Sequence, residues 1–258
     1  TRKSLGIPYA VYLMLFVVAP LLVLFYYALT NGSGQFTLSN FTGFFTDPNA
    51  MGTLFYSFAV AVVTTLVCLL LAYPIACILA FSKLKAKSAL VMIFVLPMWI
   101  NFSLRITALK EILTVFEGNL AMYPFFNAVV GMTYDFLPFM ILPIYTTVSR
   151  LDGALREAAM DLGANEAQTF LRVTLPLSVP GIMSGISMVF LPAMTNYVVL
   201  DMLYNSTYIM GSLIGSYFSA YNWNGGSMIA LILLGIICLF TLLTDGGDES
   251  TSRGGALL

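Results

Sequence analysis

Histidine is missing from the 258-residue chain altogether. With it go the imidazole general bases, the serine–histidine and cysteine–histidine nucleophile systems and the commonest metal ligand. Charge is nearly as scarce. Asp, Glu, Lys and Arg make up 9% of the residues, against roughly 25% in an ordinary soluble domain, and that is too few to cover a water-exposed surface. A formal net charge of -1, with the basic residues scattered, leaves no concentrated cationic face for a nucleic acid. Cysteine is limited to Cys68, Cys77 and Cys238, all inside apolar runs, so a disulfide framework or thiolate metal site has no support and small buried hydrophobes are the better reading. No GxxxxGK[ST] segment occurs, so the chain carries no phosphate-binding loop for ATP.

What the chain has is apolar length: 59% of its residues are hydrophobic. A bilayer core takes roughly 20 helical residues to cross, because backbone polar groups must bond internally where water is absent. Runs of that length fall at about 8–29, 53–81, 89–107, 123–148, 181–200 and 223–244. The fold class expected is therefore an all-α integral membrane protein of about six transmembrane helices. Residues 1–244 read as one transmembrane domain, and 245–258, rich in Gly, Ser and Asp, read as a flexible tail. The first run is too long for a signal-peptide core and lacks a small-x-small cleavage site, which makes it a retained helix.

Orientation follows from the basic residues, since short loops rich in Lys and Arg stay cytoplasmic. Arg2 and Lys3, then Lys83, Lys85 and Lys87, then Arg150, Arg156 and Arg172, then Arg253 fall on one side of a six-span arrangement, and only Arg105 and Lys110 fall opposite. Both termini are expected in the cytoplasm. Prolines interrupt several spans, at Pro74, Pro97, Pro138, Pro143 and Pro192. Each removes a helical hydrogen bond, and a packing kink is the plain reading of them.

The long connection at 149–180 is polar and patterned. Leu151, Leu155, Ala158, Ala159 and Leu162 recur at helical spacing, with Arg156, Glu157 and Asp161 elsewhere on the turn, and Gly163 is placed to end that helix. A second short helix is expected from about Asn165 to Val173, stopped by Pro176 before the fifth span. On periodicity alone this pair is either an interfacial membrane helix or a docking surface for another protein.

The residues themselves carry a resemblance. Glu157-Ala158-Ala159, Gly163 after three residues and then Val173-x-Leu175-Pro176 match the EAA loop of the binding-protein-dependent, MetI-like permeases of ABC importers, with valine where that pattern has isoleucine. The resemblance implies a cytoplasmic helix-turn-helix coupling loop between spans four and five. Glu157, Ala158, Ala159, Gly163, Leu175 and Pro176 would be its ATPase-coupling residues. It also implies partners: a dimer of ATP-binding subunits that holds ATP and Mg, a second related permease subunit, an extracytoplasmic substrate-binding protein and the bilayer of a bacterial cytoplasmic membrane. The chain itself would bind no cofactor and catalyse nothing.

The likeness runs further. Leu96-Pro97-Met98-Trp99 with Arg105 downstream, Tyr134-Asp135-Phe136-Leu137-Pro138-Phe139-Met140, Leu151-Asp152, and Leu191-Pro192-Ala193-Met194 with Asp201 are similar to spermidine/putrescine permeases. Independently of that, Asp135 lies about twelve residues into its span, roughly 18 Å deep at 1.5 Å per residue. A carboxylate near the midplane is costly and faces the bundle or a water-filled path. A polyamine spaces ammonium groups along an apolar chain, so its passage calls for spaced carboxylates and aromatic faces. Asp135, Tyr134, Trp99 and Asp201 are the substrate-path candidates, with Glu111 and Glu117 toward the outer half.

Three alternatives stay open at this point. A permease of the same class for ferric iron, sulfate, molybdate or an aminophosphonate shares the loop, but an anion path wants basic lining, and Arg105 and Lys110 are its only candidates. An intramembrane enzyme using Asp135 with Asp201 needs both acids at one depth, and the span arrangement sets them apart. A non-transporting scaffold would use the loop for docking alone.

Overall fold

The computed structural model describes residues 6–82, 87–204 and 209–254. Arg2, Lys3, Lys83 and Lys85, on which the orientation argument draws, lie outside them. The described chain is helical apart from turns and an isolated antiparallel bridge between Thr30 and Phe36. Five of its helices are long and apolar enough to cross a membrane, or six if one bent pair is a single span. Two compact units are distinguished, Thr1–Tyr56 with Tyr208–Phe240 and Ser57–Thr207 with Thr241–Leu258.

In the first unit, α1 (Ile7–Ala28) is apolar all round, and none of its most apolar stretch is buried. Such a helix suits lipid or another subunit on every side. Its C-terminal carbonyls have no partners within the helix and must find donors elsewhere. Asparagines from two distant segments supply them: Asn40 Nδ2 donates to the carbonyls of Ala28 (3.0 Å) and Thr30 (2.9 Å), and Asn224 Nδ2 donates to those of Tyr27 (2.9 Å) and Thr30 (2.7 Å). Asn40 sits on α2 (Ser39–Thr46), which precedes the long span α3 (Pro48–Phe81). The unit boundary falls within α3.

In the second unit the third apolar run does not continue as one helix to Thr107, as its composition suggests. Helix α4 (Lys87–Val95) tightens into a 3₁₀ turn at Leu96–Trp99, and α5 (Phe102–Glu117) leaves at a bend of 96°. The cause is local. Pro97 sits in the tight turn, Ile100 is extended (φ -77, ψ 143), and Asn101 caps the new helix by accepting from the backbone N–H of Ser103 (3.0 Å) and Leu104 (3.4 Å).

The central helix of this unit is α6 (Pro124–Val148), the most buried of the spans, with 61% of its apolar stretch inside. It packs along α8 (Glu166–Thr195), and glycines set the distance. A Cβ at Gly181 would lie 2.5 Å from Thr147 Oγ1 and 2.8 Å from the Pro143 carbonyl oxygen, and one at Gly185 would lie 2.6 Å from Met140 Sδ. Small residues let membrane helices approach closely enough for van der Waals contact to hold them. Helix α3 joins the packing through Tyr73 Oη, 2.9 Å from Ser178 Oγ, and through Phe58, edge-on to Phe190 with centroids 5.8 Å apart.

Two further expectations need correction. The helix after Asn165 is not stopped by Pro176: it widens into a π-type turn at Phe170–Thr174 and runs on as Leu175–Thr195. The extra residue in that turn accommodates the proline, which lacks an N–H to donate. At its far end the span stops at Thr195 instead of Leu200. Asn196 breaks the helical geometry (φ -74, ψ 81) and α9 (Tyr197–Leu203) follows, packed on α5 and α6. Helix α10 (Met210–Ser219) precedes the last span, α11 (Trp223–Gly254).

Candidate functional site

Between α6 and α8 stands the short helix α7 (Gly153–Asp161), shaped by its own ends. Asp152 accepts from the Ala154 N–H at 3.0 Å and starts it. Its last turn closes by two bonds, Ala164 N–H to the Ala159 carbonyl (3.1 Å) and Gly163 N–H to the Met160 carbonyl (2.9 Å). That crossed pair requires a left-handed residue between them, and Gly163 takes it at φ +84. Asn165 and Gln168 then bond each other's backbone N–H reciprocally, at 2.8 and 3.0 Å, and open α8 with a capping box.

The result is a helix whose apolar face points away from its own chain. Leu155, Ala158 and Met160 are exposed, and Leu162 is 90% exposed. Glu157 and Gly163 are exposed beside them, Ala159 is partly covered, and Leu175 and Pro176 begin the regular part of α8. A cleft of about 320 Å³ runs along the turn, lined by Ala159, Leu162, Gly163, Gln168, Thr169 and Arg172. Sequence periodicity placed Arg156 away from the apolar positions, and in the structure it turns inward, its guanidinium 4.1 Å from the centroid of the Phe81 ring at the end of α3. A second cavity of about 490 Å³ opens there, between Cys77, Phe81, Arg156, Glu166, Phe170 and Thr174.

The other named residues surround the broken third span. Asp135, halfway along α6, is buried and bonded to Arg105 Nη2 from α5. This is the only ion pair among the described residues. The 96° bend carries α5 alongside α6, so the arginine meets the mid-span carboxylate, and Asp135 is a paired acid instead of a bare one. Tyr134 is half exposed, and the Arg105 guanidinium carbon lies 5.9 Å from its ring centroid. Glu117 is also engaged, accepting from Asn127 Nδ2 at 2.8 Å.

Trp99 and Asp201 are not drawn into this cluster. Trp99 is 75% exposed at the end of the 3₁₀ turn, and Asp201 is exposed on α9. Sequence reasoning took Arg105 as part of the likeness and as a candidate for anion binding, and missed its pairing. The available signal was a lone arginine and a lone aspartate in consecutive apolar runs, each costly without the other.

Comparison with known proteins places this architecture. Residues 72–248 match the family model described as "Binding-protein-dependent transport system inner membrane component". A spermidine/putrescine transport system permease protein, PotB, of Haemophilus influenzae is 35% identical, over 94% of this chain and 92% of its own length. PotB of Escherichia coli K12 is 34% identical over 81% of each chain. Among solved structures, a chain of a bacterial ABC transporter involved in the import of the acidic polysaccharide alginate superposes with a TM-score of 0.79. It covers 96% of this chain and 95% of that one at 14% identity, a likeness of fold.

Proposed function

This chain belongs to the family of binding-protein-dependent transport system inner membrane components, the permease subunits of ABC transporters, and from that membership we propose that it forms the membrane path of an importer for polyamines of the spermidine and putrescine class. As a family member it is a multi-pass, non-catalytic subunit that works with a binding protein and an ATPase. The observation that carries the coupling role is α7, fixed at both ends and presenting Leu155, Ala158 and Leu162 outward. A helix so displayed suits insertion into a groove on a partner.

In this reading the ATP-binding subunits form a dimer holding ATP and Mg, and α7 sits on the cytoplasmic side with both termini. A second related permease completes the path. Glu157 pairs across the joint, Ala158 and Ala159 permit close packing, and Gly163 keeps the turn. Leu175 and Pro176 begin the span that carries the movement inward. An external binding protein delivers substrate, closure of the ATPase dimer moves the α7 helices, and the spans switch exposure. Trp99, Tyr134 and Asp201 offer aromatic faces and a carboxylate to a linear polycation, with Asp135 deeper. The substrate class rests on the likeness to the PotB proteins.

The test is reconstitution of the complex in lipid with its ATPase, second permease and binding protein, followed by ATP hydrolysis and uptake of labelled spermidine and putrescine. Stimulation of both by a polyamine with its binding protein, and uncoupling by Glu157→Ala, is the expected result. Stimulation by sulfate or ferric iron instead would keep the permease and remove the polyamine. No stimulated hydrolysis with any solute would leave a docking scaffold.

A further inference from the structure

Inside the second unit one charged group is held in a way that its surroundings do not complete. Arg105 is 8% exposed and meets Asp135 through Nη2 alone, while its Nε and Nη1 are buried with no hydrogen-bond partner. A buried guanidinium frequently presents two parallel N–H groups to a carboxylate, and buried donors normally find partners. Here it is attached by a single nitrogen. Asp135, 4% exposed at mid-span, still cannot be left bare, because an isolated buried carboxylate is far costlier than a paired one.

A polyamine brings to such a carboxylate what Arg105 brings: positive charge and N–H donors on an apolar stem. Tyr134, adjoining Asp135 and facing the guanidinium at 5.9 Å, is half exposed and offers an aromatic face to either cation. The break at Ile100 and Asn101 gives α5 a joint at its start, on which Arg105 can withdraw without unwinding α6. We propose that Arg105 is a tethered stand-in for the substrate: it neutralises Asp135 in the resting permease and is displaced by an ammonium group of the polyamine in transit. The arginine thereby sets specificity, because only a cation can take its place, and it ejects the substrate by returning.

This inference rests on the polyamine reading. Its test uses the assembled complex in lipid, with wild type, Arg105→Gln and the doubly neutral Arg105→Gln/Asp135→Asn, and with co-purification of the ATPase subunits as the check on assembly. Two readouts are taken: labelled spermidine retained without binding protein, and uptake with it. Removing the competitor alone is expected to raise retained spermidine by about tenfold or more, and removing both charges to abolish the retention and lower uptake by about tenfold. Retention unchanged in Arg105→Gln, or uptake by the double variant equal to wild type, overturns the proposal and leaves the pair a structural pin. Where Arg105→Gln does not assemble, Arg105→Lys serves, since its smaller, differently shaped head predicts a partial gain in retention, and no gain overturns the idea. A wild-type complex that imports no polyamine refutes the functional reading itself, and the stand-in falls with it. Parity of the double variant with an active wild type refutes the stand-in alone.

Discussion

Arg156 lays its guanidinium over the ring of Phe81, 4.1 Å from the centroid, and so ties the exposed helix α7 to the last residue of the span α3. Helix α7 otherwise offers its apolar face outward, and this contact can pass a push on α7 directly to a membrane helix. A cation over an aromatic face contributes about 0.5–2 kcal/mol, more as water is excluded. Arg156→Ala is expected to leave the complex assembled but to lower polyamine uptake per ATP hydrolysed several-fold, with Arg156→Lys intermediate. The uptake-to-hydrolysis ratio in proteoliposomes measures it.

Gly163 holds the turn after α7 at φ +84, and a Cβ there would meet no atom within 4 Å. Backbone conformation, not space, is therefore the constraint. Gly163→Ala should destabilise the turn by about 1–2 kcal/mol, whereas Gly163→Asn, which tolerates the left-handed region, should cost less. Co-purification of the ATPase subunits with each variant is the readout, and equal capture of the two would contradict the argument.

Gly181 is constrained in the opposite way, by space. A Cβ would stand 2.5 Å from Thr147 Oγ1 and 2.8 Å from a backbone oxygen of α6, which cannot step aside as a side chain can. Gly181→Ala is expected to lower the thermal stability of the purified complex, at a cost of about 1–3 kcal/mol for overpacking. Gly235→Ala, with nothing within 4 Å, should be neutral or stabilising. Melting curves of the two variants in one detergent compare them.

Asn224 donates to the carbonyls of Tyr27 and Thr30 at the end of α1. Asn224→Ala leaves the Tyr27 carbonyl without that donor, while Thr30 retains Asn40. The expected loss is about 1–2 kcal/mol, with the backbone amides around Leu29 exchanging faster. Hydrogen exchange across 25–32 reads this directly, and unchanged exchange would refute the capping role.

The apolar runs of the chain determined by themselves that it crosses a membrane and roughly where, because a helix in lipid must close its own backbone hydrogen bonds and needs a set length to do so. The same local reading located the turn at Gly163 and the helix start after Asn165, since caps involve residues only a few positions apart. Even the break at Pro97 and Asn101 was written locally, but it was masked by the continuous hydrophobicity around it. What only the tertiary structure decided was partnership. Arg105 with Asp135, Arg156 with Phe81, Asn224 with the end of α1 and Gly181 with Thr147 join residues far apart in the chain. Between apolar helices in lipid no hydrophobic pattern selects one face over another, so these pairings follow from how closely the backbones approach and which buried polar groups then find each other.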